Sequence, residues 1–184
     1  MRESEIPMTR LTGDAMREIA GKVFGERSMS LSDAGAEYEM DEMTSAVRAL
    51  RRMMGSTLES LPESAFAAQP AADGEAGWSA GQVIAHIANS QVSMSGAVRS
   101  LLGMPAADGE RRDLDQLPSR DEALAILAEA NLGFDTFVSE IPTDADLTKA
   151  ATHERFGEMS TNGWLMLMAL HEGDHVRQVR ALAG

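Results

Sequence analysis

The sequence of 184 residues contains no cysteine and few aromatic residues, which make up 4% of the chain. Without cysteine there is no disulfide framework, no thiolate metal site and no cysteine nucleophile. Alanine and methionine, which favour helices, are abundant, whereas the aromatic and β-branched residues that favour strands are scarce. The composition therefore favours an all-α fold.

Basic residues are also scarce, since the chain carries 16 lysines and arginines against 29 aspartates and glutamates, a formal net charge of −13. Nucleic acids and anionic membrane surfaces are bound through basic patches, so we expect neither as a partner. The longest apolar run, residues 164–170, is far shorter than the roughly 20 residues that span a bilayer. Residues 1–10 lack the apolar run of a secretory signal. We therefore expect a soluble cytoplasmic protein.

Apolar residues recur at the three- and four-residue spacing of amphipathic helices in five segments, and no segment shows the alternating pattern of a strand. The first helix is short, and residues 28–36 after it have the composition of a linker. Four longer helices follow, which predicts an all-α four-helix bundle over residues 39–184 behind an N-terminal extension over residues 1–38. Long loops before the third and fifth helices permit crossover connections. The predicted helices start at Thr12, at Met40, at the capping box of Ser79 with Gln82, at the capping box of Ser119 with Glu122, and at Ser160 or Thr161. The first four are predicted to end at Gly25, Pro62, Gly103 and Pro142, respectively.

Two histidines near the end of the chain, His171 and His175, form the pattern H-E-x-x-H. Residues four apart lie on one face of a helix, so both imidazoles can share one metal ion. They lie on a stripe that is apolar at both ends, and we expect this stripe to face the core. A buried polar group without a partner costs about 1–3 kcal/mol, and a shared metal ion removes that cost.

The third ligand decides what kind of metal site this is. In zinc peptidases it follows the H-E-x-x-H motif, but no histidine, aspartate or glutamate follows His175 here. A catalytic zinc normally has three protein ligands, so the third must lie upstream. His86, in the middle of the apolar third helix, is the natural candidate. We predict a site formed by His86, His171 and His175, in which three neutral imidazoles leave at least one coordination position open.

Two further residues are candidates for catalysis. Glu172 flanks the ligand face of its helix, where it can orient a ligand or act as a general base. The alternative is a solvated charge on the side of the helix. His153 lies in the loop before the last helix, and loops often carry functional residues. The alternative for His153 is an exposed loop histidine.

Polar residues one turn beyond the predicted ligands are candidates for the pocket wall. Asn89 and Gln91, on either side of Ser90, follow His86 and are candidate cofactor-binding residues. Gln178 lies one turn after His175 on the ligand face, where we expect it to pack or to form a hydrogen bond.

Two segments of the chain resemble a known family. Residues 78–87, WSAGQVIAHI, are similar to the W-S-x-x-(E/Q)-h-h-x-H-h segment of the DinB/YfiT-like superfamily, and residues 156–178 are similar to its last helix. The resemblance covers about residues 40–184 and implies a four-helix bundle, a divalent metal held by three histidines, and frequent homodimers. It places the ligands at His86, His171 and His175. Residues 1 to about 38 have no counterpart in the minimal bundle.

That superfamily includes mycothiol- and bacillithiol-dependent transferases, maleylpyruvate isomerase and metal-dependent hydrolases. The resemblance therefore implies that a zinc or nickel ion activates an external low-molecular-weight thiol, or water, toward a small-molecule substrate. The alternative is a non-catalytic metal-binding or stress-response bundle that dimerises. An accessible pocket beside the histidines favours the enzyme, whereas a histidine site sealed by apolar side chains favours the non-catalytic bundle. The extension can pack across a groove, enlarge a dimer interface or stay partly mobile.

Overall fold

The computed structural model describes residues 10–67, 74–107 and 109–183. Over these residues the chain forms six α-helices and one two-stranded hairpin, in agreement with the predicted all-α class apart from the hairpin. Short 3₁₀ helices at Glu63–Phe66 and Gly74–Gly77 lie in the loop before α4. The helices and strands are α1 (Gly13–Ala20), α2 (Leu31–Ala36), α3 (Met40–Ser60), α4 (Ala80–Leu102), α5 (Arg120–Glu140), β1 (Ala150–His153), β2 (Gly157–Ser160) and α6 (Thr161–Ala181).

Helices α3, α4, α5 and α6 form the four-helix bundle. Around the bundle, α3 packs against α5 and α6, and α4 packs against the same two helices. The connections from α3 to α4 and from α5 to α6 therefore cross the bundle diagonally, as the long loops permit. This order brings α4 and α6, which carry the three predicted ligands, side by side. No helix in the described ranges has the length and hydropathy of a membrane span.

The bundle helices begin where the capping motifs predict. The Ser79 hydroxyl accepts a hydrogen bond from the Gln82 amide, and the Gln82 side chain accepts one from the Ser79 amide at 2.9 Å. Ser119 and Glu122 form the same reciprocal pair at the start of α5. Each pair satisfies backbone donors that the helix itself cannot use. These local hydrogen bonds explain why the helix starts could be predicted.

The predicted linker over residues 28–36 is wrong, because Leu31–Ala36 forms helix α2. Ser30 caps this helix in a reciprocal pair with Asp33. A methyl group on Gly35 would lie 2.3 Å from the backbone oxygen of Asn162, so only glycine allows α2 to approach the start of α6 this closely.

The prediction that the chain has no strands is also wrong. Strands β1 and β2 pair antiparallel, with Ala150 opposite Ser160 and His153 opposite Gly157. Gly157 has φ of 73°, a left-handed conformation that glycine adopts without strain. Each strand has only 4 residues, too few to show a clear alternation in the sequence. The hairpin leads directly into α6.

The described part of the N-terminal extension belongs to the packed core. Met16 and Ile19 of α1 are buried, and α1 packs against α6. The helix does not end at Gly25 as predicted but continues as a π-helical segment, Gly21–Glu26. Arg27, with φ of 55°, ends it. The extension therefore lies on the helix that carries two of the predicted metal ligands.

Candidate metal centre

The three predicted histidines meet between α4 and α6. The Nε2 atom of His171 lies 3.0 Å from Nε2 of His86 and 3.1 Å from Nε2 of His175. Two nitrogens bound to one tetrahedral zinc ion at their usual distance lie roughly 3.3 Å apart. The three nitrogens are therefore spaced as ligands of a single cation, and they are all of the imidazole type that zinc and nickel accept.

A hydrogen bond orients the ring of His175. Its Nδ1 lies 2.7 Å from Oε1 of Gln178, and Nε2 of Gln178 donates to the backbone oxygen of Glu75. Because that carbonyl can only accept, the amide orientation of Gln178 is fixed and its oxygen must accept from His175. Nδ1 of His175 then carries the proton, and Nε2 presents a lone pair to the other histidines. The expectation that Gln178 forms a hydrogen bond is confirmed.

The surroundings of His171 and His86 favour the neutral forms of these two imidazoles. Burial, and then the charges of His175, His86 and Arg51, lower the pKa of His171 to about 3. Burial and the charge of His175 also lower the pKa of His86. Since only a neutral imidazole has a lone pair for a metal ion, both shifts favour the ligand form at neutral pH.

A pocket of about 610 Å³ opens beside the histidines. Met16 and Phe24 of the N-terminal extension line it, together with Phe156 from the turn of the hairpin. The rings of Phe24 and Phe156 lie 6.1 Å apart, so the extension and the hairpin meet at this wall. The histidine site is thus reached from a pocket and is not sealed by the core.

Comparison with known proteins identifies the family of this chain. The family model of the DinB superfamily matches residues 46–179. The chain belongs to the DinB superfamily. The DinB match begins inside α3, so α1 and α2 lie outside it although α1 lines the pocket.

A solved structure has the same four-helix fold. It is described as the crystal structure of TT2238, a four-helix bundle protein, and superposes with a TM-score of 0.58 at 24% identity. The alignment covers 77% of this chain and 98% of that one, which supports the fold. No curated protein is detectably similar to this sequence.

Glu172, on α6, is not a solvated charge. It is 3% exposed, and its Oε1 accepts hydrogen bonds from Nε and Nη2 of Arg51 at 2.8 and 2.6 Å. Burial raises the pKa of Glu172, although the Arg51 guanidinium opposes this. Glu172 does not line the pocket of about 610 Å³, and its predicted catalytic role stays a prediction.

The other three candidate residues also lie outside that pocket. The Asn89 side chain donates to the backbone oxygen of Arg112 at 2.9 Å and accepts from its amide at 2.7 Å, which anchors the loop before α5. Gln91 accepts from Nη1 of Arg51 at 2.7 Å in the bundle interior. Nδ1 of His153 accepts from the Arg155 amide at 3.1 Å in the hairpin turn. Their predicted cofactor-binding and catalytic roles stay predictions.

Sequence reasoning missed Arg51, which connects α3 to the other three helices of the DinB bundle. Besides Glu172 on α6, it donates to Gln91 on α4 and to the backbone oxygen of Ala130 on α5 at 2.9 Å. A signal was present, because Arg51 lies four residues after Val47 and three before Met54 on the apolar stripe of α3. An arginine at such a position is expected in the core and needs a partner there.

Proposed function

We propose that this protein is a metal-dependent enzyme that holds one divalent cation, zinc or nickel, with His86, His171 and His175. The observation that carries the proposal is the convergence of three Nε2 atoms, 3.0 and 3.1 Å apart, beside an accessible pocket. When bound, such a cation supplies Lewis acidity, which makes a thiol or a water molecule a competent nucleophile near neutral pH. A pocket of about 610 Å³ has room for a small-molecule substrate.

The chain's own residues prepare this site. Gln178 orients His175 through Nδ1, and the surrounding helices keep His171 neutral. The indole of Trp78 packs on His86, with ring centroids 4.8 Å apart, and limits the positions that the imidazole can take. The ligands are thus held in place before any cation binds, which reduces the entropic cost of binding.

We propose an external low-molecular-weight thiol as the activated group, with water as the alternative. The chain contains no cysteine, so a thiol that reacts here must come from outside. Thiol-dependent transferases are found in the superfamily to which the chain belongs. The accessible pocket favours this enzyme over a non-catalytic bundle, in which the site would be sealed.

Cobalt substitution tests the proposed function. The metal-free protein is loaded with Co²⁺, and small thiols such as cysteine and cysteinyl glucosamine are then titrated in. Because the chain has no sulfur ligand of its own except methionine thioethers, we expect a new thiolate-to-cobalt charge-transfer band that requires the added thiol. Serine and its glucosamine conjugate are the matched controls without sulfur.

Two results separate the alternatives. If no band forms but the loaded protein hydrolyses activated esters, and His86→Ala abolishes that activity, the nucleophile is water and the thiol proposal is wrong. If cobalt does not bind to the wild-type protein, or binds equally well to His86→Ala, the metal-dependent function itself is wrong.

A further inference from the structure

The pocket beside the histidines has a charge opposite to that of the chain. Four arginines line it, against two carboxylates. The whole chain has 29 acidic residues and only 16 basic ones. A site that gathers guanidiniums in an acidic protein attracts anions more strongly than the rest of the surface does. The four arginines are Arg17, Arg155, Arg177 and Arg180, and the two carboxylates are Glu75 and Asp174.

Two of these arginines have partners of their own. Arg17 is paired with Asp14, and Arg177 is paired with Asp174 through a contact of 2.6 Å. Both pairs are on the exposed surface and use neighbouring residues of one helix. Both guanidiniums therefore already have a carboxylate partner three residues away.

The other two arginines are uncommitted. Arg155 in the hairpin turn and Arg180 near the end of α6 form no ion pair with any residue in the described part of the chain. The guanidinium of Arg155 lies over the ring of Phe156, 5.4 Å from its centroid. Glu75, the remaining carboxylate of the lining, is exposed. The guanidiniums of Arg155 and Arg180 are thus free to bind an anionic ligand in this pocket. Among the described residues of the lining, Glu75 is the one unpaired carboxylate that can compete with such a ligand.

Much of the apolar lining of the pocket comes from the N-terminal extension. Met16, Ala20 and Phe24 line it from α1 and the π-helical segment after it. Phe24 is 44% exposed and Met53, which also lines the pocket, is 38% exposed, so the pocket presents two large apolar side chains to a ligand. The family match begins at residue 46, so this wall is an addition to the DinB bundle.

We propose that the substrate of this site is an anionic small molecule with an apolar body. Its anionic group binds Arg155, whose guanidinium lies over Phe156 beside Phe24. Arg180 adds to the positive charge of the same pocket, and the apolar body lies against Phe24 and Met16. This inference rests on the proposed function, because it names the substrate class of the same histidine site. Guanidiniums bind carboxylate, sulfonate and phosphate groups through the same charge-assisted hydrogen bonds, so the anion is assigned by that shared chemistry.

A matched pair of fluorescent probes tests the proposal. Anilinonaphthalene sulfonate has an apolar body and an anion that is a weak metal ligand, and N-phenylnaphthylamine has the same body without the anion. Their dissociation constants are measured with the full-length protein, both metal-free and metal-loaded. We expect the sulfonate to bind about tenfold more tightly than the neutral probe in both forms.

Charge-removing variants locate the anion. In Arg155→Gln/Arg180→Gln, we expect the sulfonate to lose about tenfold in affinity while the neutral probe changes less than about twofold. Phe24→Ala is expected to weaken both probes alike. Arg52→Gln is the control, because Arg52 is exposed, unpaired among the described residues and outside the pocket. It should leave both probes unchanged.

Two outcomes would overturn the proposal: equal binding of both probes to the wild type, or equal losses in Arg52→Gln and in the double variant. Neither outcome bears on metal binding, since the metal-free arm contains no cation. Conversely, a protein that binds no metal yet discriminates between the probes would contradict the proposed function and leave the anion site in place.

Discussion

His175 and Gln178 form the hydrogen bond that sets the ligand geometry of this site, with Nδ1 of the histidine 2.7 Å from Oε1 of the glutamine. Gln178 is in turn held by the backbone oxygen of Glu75 in the loop before α4. One glutamine thus connects α6 to that loop and determines which nitrogen of His175 faces the other histidines.

Removing this hydrogen bond is expected to weaken metal binding. Gln178→Leu leaves the His175 ring without an acceptor for Nδ1–H, and losses of about 10–100-fold in metal affinity are typical of such changes. Gln178→Glu keeps an acceptor, so we expect it to retain most of the affinity. Calorimetric titration with Zn²⁺ measures both variants. Equal affinities for the leucine and glutamate variants would show that the hydrogen bond does not orient the ligand.

The buried pair of Arg51 and Glu172 is expected to matter for stability. Their side chains are 3% and 4% exposed. Arg51→Met leaves the Glu172 carboxyl without a cationic partner, and such truncations cost about 3–5 kcal/mol in unfolding free energy. Urea denaturation of the metal-free protein measures the loss.

A surface pair provides the matched control. Arg48 lies one turn before Arg51 on α3 and pairs with Asp135, but these side chains are 36% and 56% exposed. Arg48→Met is expected to cost only about 0–1 kcal/mol. If Arg51→Met and Arg48→Met lose the same unfolding free energy, burial does not determine how much an ion pair contributes to stability.

Gly35 is expected to be irreplaceable in the contact between α2 and α6. A methyl group there would lie 2.3 Å from the backbone oxygen of Asn162, and backbone cannot move aside as a side chain can. Gly35→Ala should therefore destabilise the protein by about 1–3 kcal/mol or more. Gly21→Ala should instead be neutral or gain about 0.5–1 kcal/mol, because Gly21 is helical with no atom near the new methyl group. If thermal denaturation showed a stability change of the same sign for Gly35→Ala and Gly21→Ala, this account of the packing would be contradicted.

The pH dependence of stability should reveal the contribution of the ion pair between Arg10 and Glu42 on α3. Hydrogen bonds from Arg10, and then from the Glu39 amide, lower the pKa of Glu42 from its ordinary 4.5 to about 2. Since the folded pKa is the lower one, the contribution of Glu42 is fully present above pH 4.5 and is lost as the pH falls toward 2.

The variant Glu42→Gln should therefore be less stable than the wild type at pH 6, and the difference should shrink between pH 4.5 and 3. Glu59→Gln, at an exposed position of the same helix, should differ little from the wild type at either pH. Urea midpoints measured across this range check both statements. A difference for Glu42→Gln that stayed constant with pH would mean that the carboxylate charge is not what stabilises this contact.

The bundle and the cluster of three histidines could be predicted because their signals are local. The capping pairs at Ser79 and Ser119 use residues three positions apart, and His171 and His175 share a face through helix geometry alone. His86 could be added because a histidine among isoleucines and valines needs a partner. The boundaries of the bundle helices and the three histidines of the candidate site could therefore be inferred from the sequence.

The remaining features depend on tertiary contacts. Helix α2 contains Gly35, a poor helix former, and is stabilised by packing on α6. The hairpin has strands too short to show a period. The buried ion pair of Glu172 could not be inferred, because its partner, Arg51, lies 121 residues away in the sequence. In the same way, the pocket wall from the extension could not be inferred from the residues of α1 alone.

Elemental analysis of the purified protein tests the central claim most directly. After loading with Zn²⁺ and removal of excess, we expect about one zinc per chain. His86→Ala, His171→Ala and His175→Ala should each lose most of it, whereas His153→Ala, which alters the one histidine outside the cluster, should retain it. A wild-type protein without stoichiometric zinc or nickel, or a His153→Ala variant as depleted as the three ligand variants, would contradict a three-histidine metal site.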